Sequence, residues 1–573
     1  MNKYLKRYQD IDFDALLDMA DRPRDMFPSF EPSDYQLDFY KAVFFQCREI
    51  IPRHNIQLRA VAGSGKSTTA RNAMKLLDPE YLRNKVLVTA FSAKIVKTFK
   101  EELEREGMAT NCMGVNSAGW RTLRNNLQQH LIHNEGKTYS QAQAICKASQ
   151  KVDSRKYSKL LSLYLEANPL SMEVITDEDF DMSKYTKNIR RLVDLSRQYM
   201  TTTAQGIQEV AKKYHITPYL DELEVARTIM LKGISDYRSF DFIDQYFIPL
   251  LNHYKEMKFA YRWVFPKFDM IFIDEAQDLN KAQRNFLYAL KTKEGTIFSI
   301  GDVRQCIFRF AGADVESFDA LGNLPNTQLM DLTMSYRVRN PHVVSLIRKI
   351  VPYFEVPEWV ETADKDQHPQ PEHTVWTDVQ AGDYVVCRNT APLIESCLQF
   401  VSRGIKANVM GIDIGESIKR VIDKTSKKIK SQDALKVVAE LKCELDARLQ
   451  TLMDEGLTAE DAQADSNVVN MEAMVDNALA LIEGGCKTVE EMGKRLDVLF
   501  SDKIEGIVFC TAHRVKGLEA DNVFILDPQR FPSKAARTAE DLAQEDNLLY
   551  VAYSRAKKVL KYLYASDLRQ DIT

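Results

Sequence analysis

The chain has 573 residues, a formal net charge of −4, 45% hydrophobic and 28% charged residues, and nine cysteines without a C-x-x-C pair. The length exceeds what one hydrophobic core supports, and the cysteine pattern argues against a zinc or iron–sulfur site and fits a reducing compartment. No apolar run approaches the ~20 residues of a membrane helix, and the N-terminus lacks a signal-peptide core, so a cytoplasmic protein without a membrane partner is expected.

Residues 1–31 are predicted to be an N-terminal extension of uncertain structure, because Pro23 and Pro28 interrupt any long helix. A helix is predicted after Ser33, with Gln36 in its first turn. The Gln36 amide offers both a donor and an acceptor, which is the combination that an adenine edge requires. A solvated surface glutamine is the alternative interpretation.

A phosphate-binding loop is the strongest local prediction, between a strand and a helix. Small residues let backbone N–H groups point at an anion, and a helix N-terminus adds positive potential. Lys66 is expected to reach the β- and γ-phosphates of ATP, and the Ser67 hydroxyl to bind Mg²⁺. Ala60 stands where the strict motif has glycine, so an ordinary Gly/Ser turn is the alternative. The predicted nucleotide-binding residues are Ala62, Gly63, Ser64, Gly65, Lys66, Ser67 and Thr68.

A second buried strand is predicted over Val86–Phe91, followed by a helix that Ser92, Ala93 and Lys94 open. An aromatic and a lysine at a strand's carboxyl end suit contact with a nucleic acid, although an ordinary strand-to-helix turn is the favoured interpretation of this segment taken alone. Residues 119–250 then show helical spacing, few glycines and a basic first part, which indicates a helical insertion.

Two acids follow the apolar strand that begins at Phe268. Asp274 is expected to bind Mg²⁺ opposite Ser67, and Glu275 to orient or deprotonate the water that attacks the γ-phosphate. An acidic helix N-terminus is the alternative, but it does not explain the pairing with an upstream phosphate loop.

A further buried strand over Thr296–Ile300 leads to Gln305, a candidate sensor of the γ-phosphate. Phe308 and Phe310 follow, either as stacking faces for bases or as core residues.

The rest of the chain indicates a second α/β half, without a phosphate loop. Strands are predicted over Tyr384–Arg388, Gly506–Cys510 and Val523–Leu526, and a helix over Glu545–Lys558. The fold class is therefore α/β, with two parallel-sheet cores that each carry a mainly helical insertion. The predicted domains are 32–118 with 251–325 for the first core, 119–250 for its insertion, 326–415 with 501–573 for the second core, and 416–500 for its short insertion.

The order of these motifs resembles the UvrD/Rep/PcrA family of superfamily 1 DNA helicases, in islands from Pro32 onward. The matching segments, in the family's order, are Gln36, Gly63–Ser67, Thr89–Lys94, Val115–Gly119, Asp274–Asp278, Gly301–Asp314, Ser335–Arg337, Thr511–Glu519 and Leu549–Ala556. Two features depart from the family's pattern: Ala311 replaces a usual arginine, and the second insertion is shorter than usual.

The resemblance implies RecA-like cores, ATP and Mg²⁺ as cofactors, and 3′-to-5′ movement of a monomer on single-stranded DNA and at junctions with duplex. It implies that Tyr336 stacks on adenine, that Glu519 contacts the nucleotide, and that Arg337 and Arg555 act as arginine fingers. The implied DNA contacts are Phe91, Lys94, Asn116, Phe308, Phe310, Thr511 and His513.

Two other functions stay open at this point. One is a DNA-stimulated ATPase that translocates but unwinds poorly, and the other is a nucleotide-gated interaction module. The pathway (repair, replication, recombination or replication of a mobile element) and any loading partner are also left open.

Overall fold

Two compact units make up the described part of the chain. One comprises Met1–Ala60 and Lys66–Leu332, and the other comprises Val61–Gly65 and Thr333–Thr573. Within the described residues, no helix is both long and apolar enough to cross a membrane. The computed structural model describes residues 5–27, 31–127, 130–149, 182–214, 216–219, 222–236, 238–254, 263–307, 316–363, 374–454, 456–503 and 505–568.

The first unit is built on a six-stranded sheet with the order β3-β2-β6-β7-β1-β8, in which every pairing is parallel. The inner strands β2 and β6 are mainly apolar because helices cover both faces of such a sheet. A separate parallel pair, β4 and β5, lies in the insertion. The strands are β1 (Asn55–Ala60), β2 (Val86–Ala90), β3 (Asn111–Cys112), β4 (Ile132–His133), β5 (Ser239–Phe240), β6 (Phe268–Asp274), β7 (Lys291–Gly301) and β8 (Thr327–Leu332).

The helices of the first unit cover the sheet and form most of its insertion. Their bounds are α1 (Phe13–Ala20), α2 (Asp34–Cys47), α3 (Lys66–Lys75), α4 (Pro79–Lys85), α5 (Ala93–Arg105), α6 (Val115–Asn126), α7 (Lys137–Ser149), α8 (Met182–Gln198), α9 (Ala204–Lys213), α10 (Glu222–Ile234), α11 (Asp244–His253), α12 (Lys281–Ala289) and α13 (Glu316–Gly322). The predicted helical character of 119–250 is thus observed for its described residues, apart from the short pair β4–β5.

The N-terminal extension contains a folded helix. In α1 the side chains of Phe13, Leu16 and Leu17 are buried in the same core as Phe39 of α2 and the apolar residues of β1. The Arg22 guanidinium donates to carbonyls near the end of α3. The extension is therefore part of the first unit's core.

The second unit has a five-stranded parallel sheet with the order β10-β11-β9-β12-β13. The insertion helices α17 to α21 share one hydrophobic core with this sheet. The elements are α14 (Pro341–Ile350), α15 (Glu358–Glu361), β9 (Tyr384–Cys387), α16 (Ala391–Ser402), β10 (Ala407–Val409), α17 (Ile412–Ile429), α18 (Ala434–Asp454), α19 (Ala459–Gln463), α20 (Ser466–Glu483), α21 (Val489–Leu499), β11 (Ile507–Thr511), β12 (Ala520–Leu526), α22 (Ala539–Tyr553) and β13 (Ala556–Leu563).

These two parallel sheets with helices confirm the predicted α/β class. One element was predicted wrongly: the helix expected over 545–558 begins earlier, at Ala539, and ends at Tyr553. Residues from Ala556 onward form β13, which pairs with β12 through backbone hydrogen bonds. The first unit also runs to Leu332, because β8 pairs with β1, whereas the sequence placed the boundary after residue 325.

Candidate nucleotide and nucleic-acid site

The phosphate loop lies between the end of β1 at Ala60 and the start of α3 at Lys66. Gly63 and Gly65 have positive φ angles of 76° and 79°, which side-chain-bearing residues rarely adopt. The Ser64 hydroxyl donates to the Val61 carbonyl at 2.8 Å and tightens the turn. The loop conformation is therefore one that glycine permits.

Residues of the second unit hold the backbone of Val61–Gly65, which belongs to that unit. The Ala62 N–H donates to the Tyr550 hydroxyl at 2.7 Å, and the Ser335 hydroxyl donates to the Ala62 carbonyl at 2.7 Å. The Tyr336 N–H donates to the Gly63 carbonyl at 2.9 Å. A Cβ on Gly63 would lie 2.4 Å from that of Arg337, so this approach also requires glycine.

The predicted metal-binding pair is assembled in the first unit. Asp274 ends β6 and is 3% exposed, and its Oδ2 accepts a hydrogen bond from the Ser67 hydroxyl at 2.6 Å. Its Oδ1 accepts from the Glu275 N–H at 3.0 Å. A hydroxyl and a carboxylate oxygen are the hard ligands that Mg²⁺ takes when nucleotide phosphates and water complete its shell. The donor set therefore fits Mg²⁺.

Burial and, after it, the neighbouring Glu275 carboxylate raise the pKa of Asp274 to about 6. The hydrogen bond from Ser67 and the charge of Lys66 oppose this shift. The carboxylate is therefore mostly ionised at neutral pH but takes up a proton in mildly acidic solution.

We expect the Mg²⁺ affinity of the ATP-bound protein to decrease as the pH falls through about 6, because protonated Asp274 cannot coordinate a cation. The affinity should be fully present above that pKa and lost below it. Mg²⁺ titrations of ATP turnover on either side of the pKa measure the effect, and titrations of free ATP correct for its own protonation. Equal corrected affinities at the two pH values would contradict the assignment of Asp274.

A chain of polar side chains extends from Lys66 through Glu275. The Lys66 Nζ lies 3.9 Å from Glu275 Oε1, and the Gln277 amide donates to Glu275 Oε2 at 2.5 Å. Gln277 Oε1 accepts from the Asp302 N–H at 3.1 Å, and the Gln305 amide donates to Asp302 Oδ2 at 2.7 Å. The structure thus brings Lys66, Glu275 and Gln305 into one network.

Gln277 and Asp302 received no role from the sequence, although each follows the carboxyl end of a strand. They follow β6 and β7, which are neighbours in the sheet, so their side chains meet at one edge. The positions of the two strand ends are the signal that identifies them.

Gln36 is 2% exposed and takes part in a capping box at the start of α2. Its Oε1 accepts from the Ser33 N–H at 3.1 Å, and its amide donates to the Thr69 hydroxyl at 3.1 Å. These contacts tie α2 to α3, and adenine recognition by Gln36 stays a prediction. Thr68, also predicted to contact nucleotide, accepts a hydrogen bond from Arg71 at 3.4 Å.

In the second unit, Arg337 and Arg555 come together around one short segment. Arg337 Nε donates to Glu519 Oε2 at 2.8 Å, and the guanidinium of Arg555 donates to the Leu518 carbonyl at 3.2 Å. Arg555 is buried and also donates to the Val551 carbonyl. Tyr336, the predicted adenine-stacking residue, is exposed.

Burial raises the pKa of Glu519, but the hydrogen bond from Lys557 and the charge of Arg337 outweigh it and hold the pKa below its ordinary value. Glu519 is therefore an anion that already has two cationic partners.

Two of the predicted DNA contacts of the first unit, Phe91 and Asn116, follow strands at the carboxyl edge of its sheet. Phe91 follows β2 and is 39% exposed, and Asn116 lies in the first turn of α6, just after β3. The Asn116 amide donates to the Phe242 carbonyl at 2.8 Å, and Phe242 is 51% exposed. Sequence reasoning missed Phe242, whose only signal was an aromatic between two aspartates. Lys94 lies in α5, with its side chain outside the described structure, and Phe308 and Phe310 lie outside the described residues.

The predicted contacts of the second unit follow β11. Thr511 is its last residue and is buried, and His513 is half-buried two residues further on. Burial, together with the charge of Arg388, lowers the pKa of His513 to about 4. His513 is therefore neutral at physiological pH, and its contact with DNA stays a prediction.

In the first unit, Lys66 and Ser67 begin the helix after β1, the buried Asp274 accepts a hydrogen bond from Ser67, and Glu275 follows Asp274. This set of residues defines the P-loop NTPase class. A family model of the UvrD/REP helicase N-terminal domain matches residues 46–325, and one of the UvrD-like helicase C-terminal domain matches residues 506–561. The chain belongs to the UvrD-like helicase family, which confirms the resemblance found in the sequence.

Two known relatives carry helicase names. The chain is 24% identical over 558 residues to F-box DNA helicase protein 1 of Schizosaccharomyces pombe, covering 93% of this chain and 58% of that protein. It is 28% identical over 176 residues to one of the polypeptides of the ATP-dependent helicase/nuclease of Enterococcus faecalis, covering 27% of this chain and 13% of that polypeptide. The chain thus spans less than two thirds of the length of these relatives.

Proposed function

We propose that the chain is an ATP-dependent DNA helicase that moves 3′ to 5′ on single-stranded DNA and unwinds duplex. The network of Lys66, Ser67, Asp274 and Glu275 carries this proposal, because it joins the groups that ATP hydrolysis requires. Membership of the UvrD-like family and the DNA helicase named among the relatives support DNA as the substrate.

Each residue of the network has a proposed step. Ser67 and Asp274 would hold Mg²⁺, which neutralises phosphate charge when bound. Lys66 binds the β- and γ-phosphates, and Glu275 orients the attacking water and accepts its proton. Gln277 connects Glu275 to Asp302 and so to Gln305, which lets this segment respond to the γ-phosphate.

Coupling of hydrolysis to movement is proposed to come from arginines on the second unit. Arg337 and Arg555 would compensate charge at the γ-phosphate, so that ATP favours a closed state of the two cores and its hydrolysis releases that state. If each core grips the strand, this cycle becomes a step along it. Tyr336 and Glu519 would contribute to nucleotide binding in the same cycle.

The proposed DNA grip combines phosphate contacts with stacking of bases on exposed aromatic rings. Phe91 supplies one such ring after β2, and Phe242 supplies a second in the insertion, where its carbonyl accepts a hydrogen bond from Asn116. Stacking tolerates any base, and phosphate contacts weaken with salt. The grip should therefore have little sequence preference and a strong salt dependence.

Strand displacement on duplexes with a 3′ or a 5′ single-stranded tail tests the proposal. We expect ATP-dependent unwinding from the 3′ tail only, and efficient unwinding from the 5′ tail alone would contradict the polarity. DNA-stimulated hydrolysis with no unwinding from either tail would instead favour a translocase. ATP binding without DNA-stimulated hydrolysis would favour a nucleotide-gated interaction module.

A further inference from the structure

A buried ionic cluster lies in the insertion of the first unit, outside the nucleotide site. Its members are Lys137, Arg197, Asp241 and Asp244, whose side chains are 3%, 4%, 8% and 1% exposed. Arg197 donates to Asp241 Oδ1 at 3.0 Å and Oδ2 at 2.8 Å, and to Asp244 Oδ1 at 2.7 Å. Lys137 Nζ donates to Asp244 Oδ2 at 2.7 Å. Arg197 also donates to Asp194 Oδ1 at 2.7 Å, a carboxylate that is 29% exposed at the edge of the cluster.

The cluster joins three helices to one turn of the backbone. Lys137 begins α7, Arg197 lies near the end of α8, and Asp244 begins α11. The Asp244 N–H donates to Asp241 Oδ1 at 2.9 Å, which closes the turn between the two aspartates. Lys137 Nζ also donates to the Ser239 carbonyl at 2.6 Å, just before this turn. Arg197 and Lys137 therefore fix the turn through its two carboxylates. Lys137 also fixes the backbone just before the turn, through the Ser239 carbonyl.

Phe242 lies inside this turn and is exposed. Its neighbours Asp241 and Asp244 are buried, whereas Phe242 is 51% exposed. The Phe242 carbonyl accepts a hydrogen bond from the Asn116 amide, and the centroids of the Phe242 and His133 rings lie 4.6 Å apart. The turn therefore has a charged, buried side and an exposed aromatic side beside the predicted DNA contact Asn116.

Stability alone is a weak reason for such a cluster. Burial of ions costs free energy that their attraction often fails to recover, and well-packed apolar residues can replace them without loss. A forked guanidinium between two carboxylates does, however, define a geometry that apolar packing does not. Burial lowers the pKa of Arg197, but Asp241, Asp244 and Asp194 raise it well above its ordinary value, so its charge is permanent.

We propose that Arg197, with Lys137, Asp241 and Asp244, is a positioning device for Phe242, which it holds in place to stack on a base of single-stranded DNA. This inference rests on the proposed function. It adds stacking on Phe242 as a specific DNA contact and the ionic cluster as the structure that supports Phe242. The helical insertion thereby binds single-stranded DNA through Phe242. Its buried charges position Phe242 and do not contact DNA themselves.

A double-mutant cycle tests the proposal on the full chain. Single-strand affinity is measured for wild type, Phe242→Ala, Arg197→Met and the double variant, together with the DNA concentration that half-activates ATP turnover. Each single change should weaken binding by roughly 5- to 140-fold, which corresponds to the loss of one base–aromatic stack. The double variant should be no weaker than Phe242→Ala.

Two further variants separate positioning from general destabilisation. Lys187→Met is the matched control on α8, because Lys187 is an exposed cation on the same helix; it should bind like wild type. Arg197→Lys keeps the charge but loses the fork, so it should show part of the loss, and it replaces Arg197→Met if that variant fails to fold. Amide hydrogen exchange at 239–244 should rise in the Arg197 variants.

Additive losses in the double variant, or unchanged exchange in the turn, would overturn the positioning role while leaving the DNA grip intact. Wild-type protein that binds no single-stranded DNA would overturn the proposed function, and this inference with it.

Discussion

Replacing Glu275 with glutamine should lower DNA-stimulated ATP turnover by roughly 10²- to 10⁴-fold, the usual contribution of a positioned general base. Glutamine keeps the size of the side chain but cannot accept a proton from the attacking water. Lys66 and the loop backbone remain, so ATP should still bind. Steady-state hydrolysis and binding of a fluorescent ATP analogue measure the two effects separately.

Lys66→Ala should remove hydrolysis by a different route, because it takes away charge at the phosphates and weakens nucleotide binding. Glu294→Gln is the matched control, since Glu294 is exposed on β7 away from the polar network. Near wild-type turnover in Glu275→Gln would contradict the assignment of the base, and unchanged nucleotide affinity in Lys66→Ala would contradict that of the lysine.

Removing Arg337 or Arg555 from the second unit should cause the second large loss of ATP turnover. Arg337→Ala and Arg555→Ala should each lower turnover by about 10³-fold or more, as loss of an arginine finger does in related phosphoryl transfer. DNA affinity measured without nucleotide should remain close to that of wild type, since the proposed target of these charges is the γ-phosphate.

Arg339→Ala is the control for this pair, because Arg339 is exposed two residues from Arg337. Arg555 is buried and bonded to the Val551 and Leu518 carbonyls, so a thermal melt must accompany its variant. Normal turnover together with lost DNA binding would assign the arginine to the DNA-binding surface instead.

The local residue pattern was sufficient to predict the strands that lead into the nucleotide site. β2 and β6 are short, mainly apolar runs, and a parallel sheet covered on both faces favours that pattern. The loop between β1 and α3 was predicted for the same kind of reason, since its small residues and lysine are adjacent in the chain.

The local residue pattern gave a wrong prediction where pairing with a strand distant in the chain determines the secondary structure. The segment after Tyr553 continues a helical spacing, yet pairing with β12 makes Ala556–Leu563 a strand. The sequence predicts no definite structure for the extension before residue 31, and α1 lies before both prolines, capped by Asp12, with Phe13 and Leu17 in the same core as α2. Tertiary contacts override local preference in β13.

The sequence by itself determined the α/β class, the family and the residues that are adjacent in its motifs, because these depend on short-range periodicity and on side-chain chemistry at fixed spacing. Only the tertiary structure decided how Gln277 and Asp302 join Glu275 to Gln305, and how Arg197 reaches the turn of Phe242. These partners lie on different strands and helices, and which strand ends and helix faces meet is set by sheet order and packing, on which spacing along the chain carries no information.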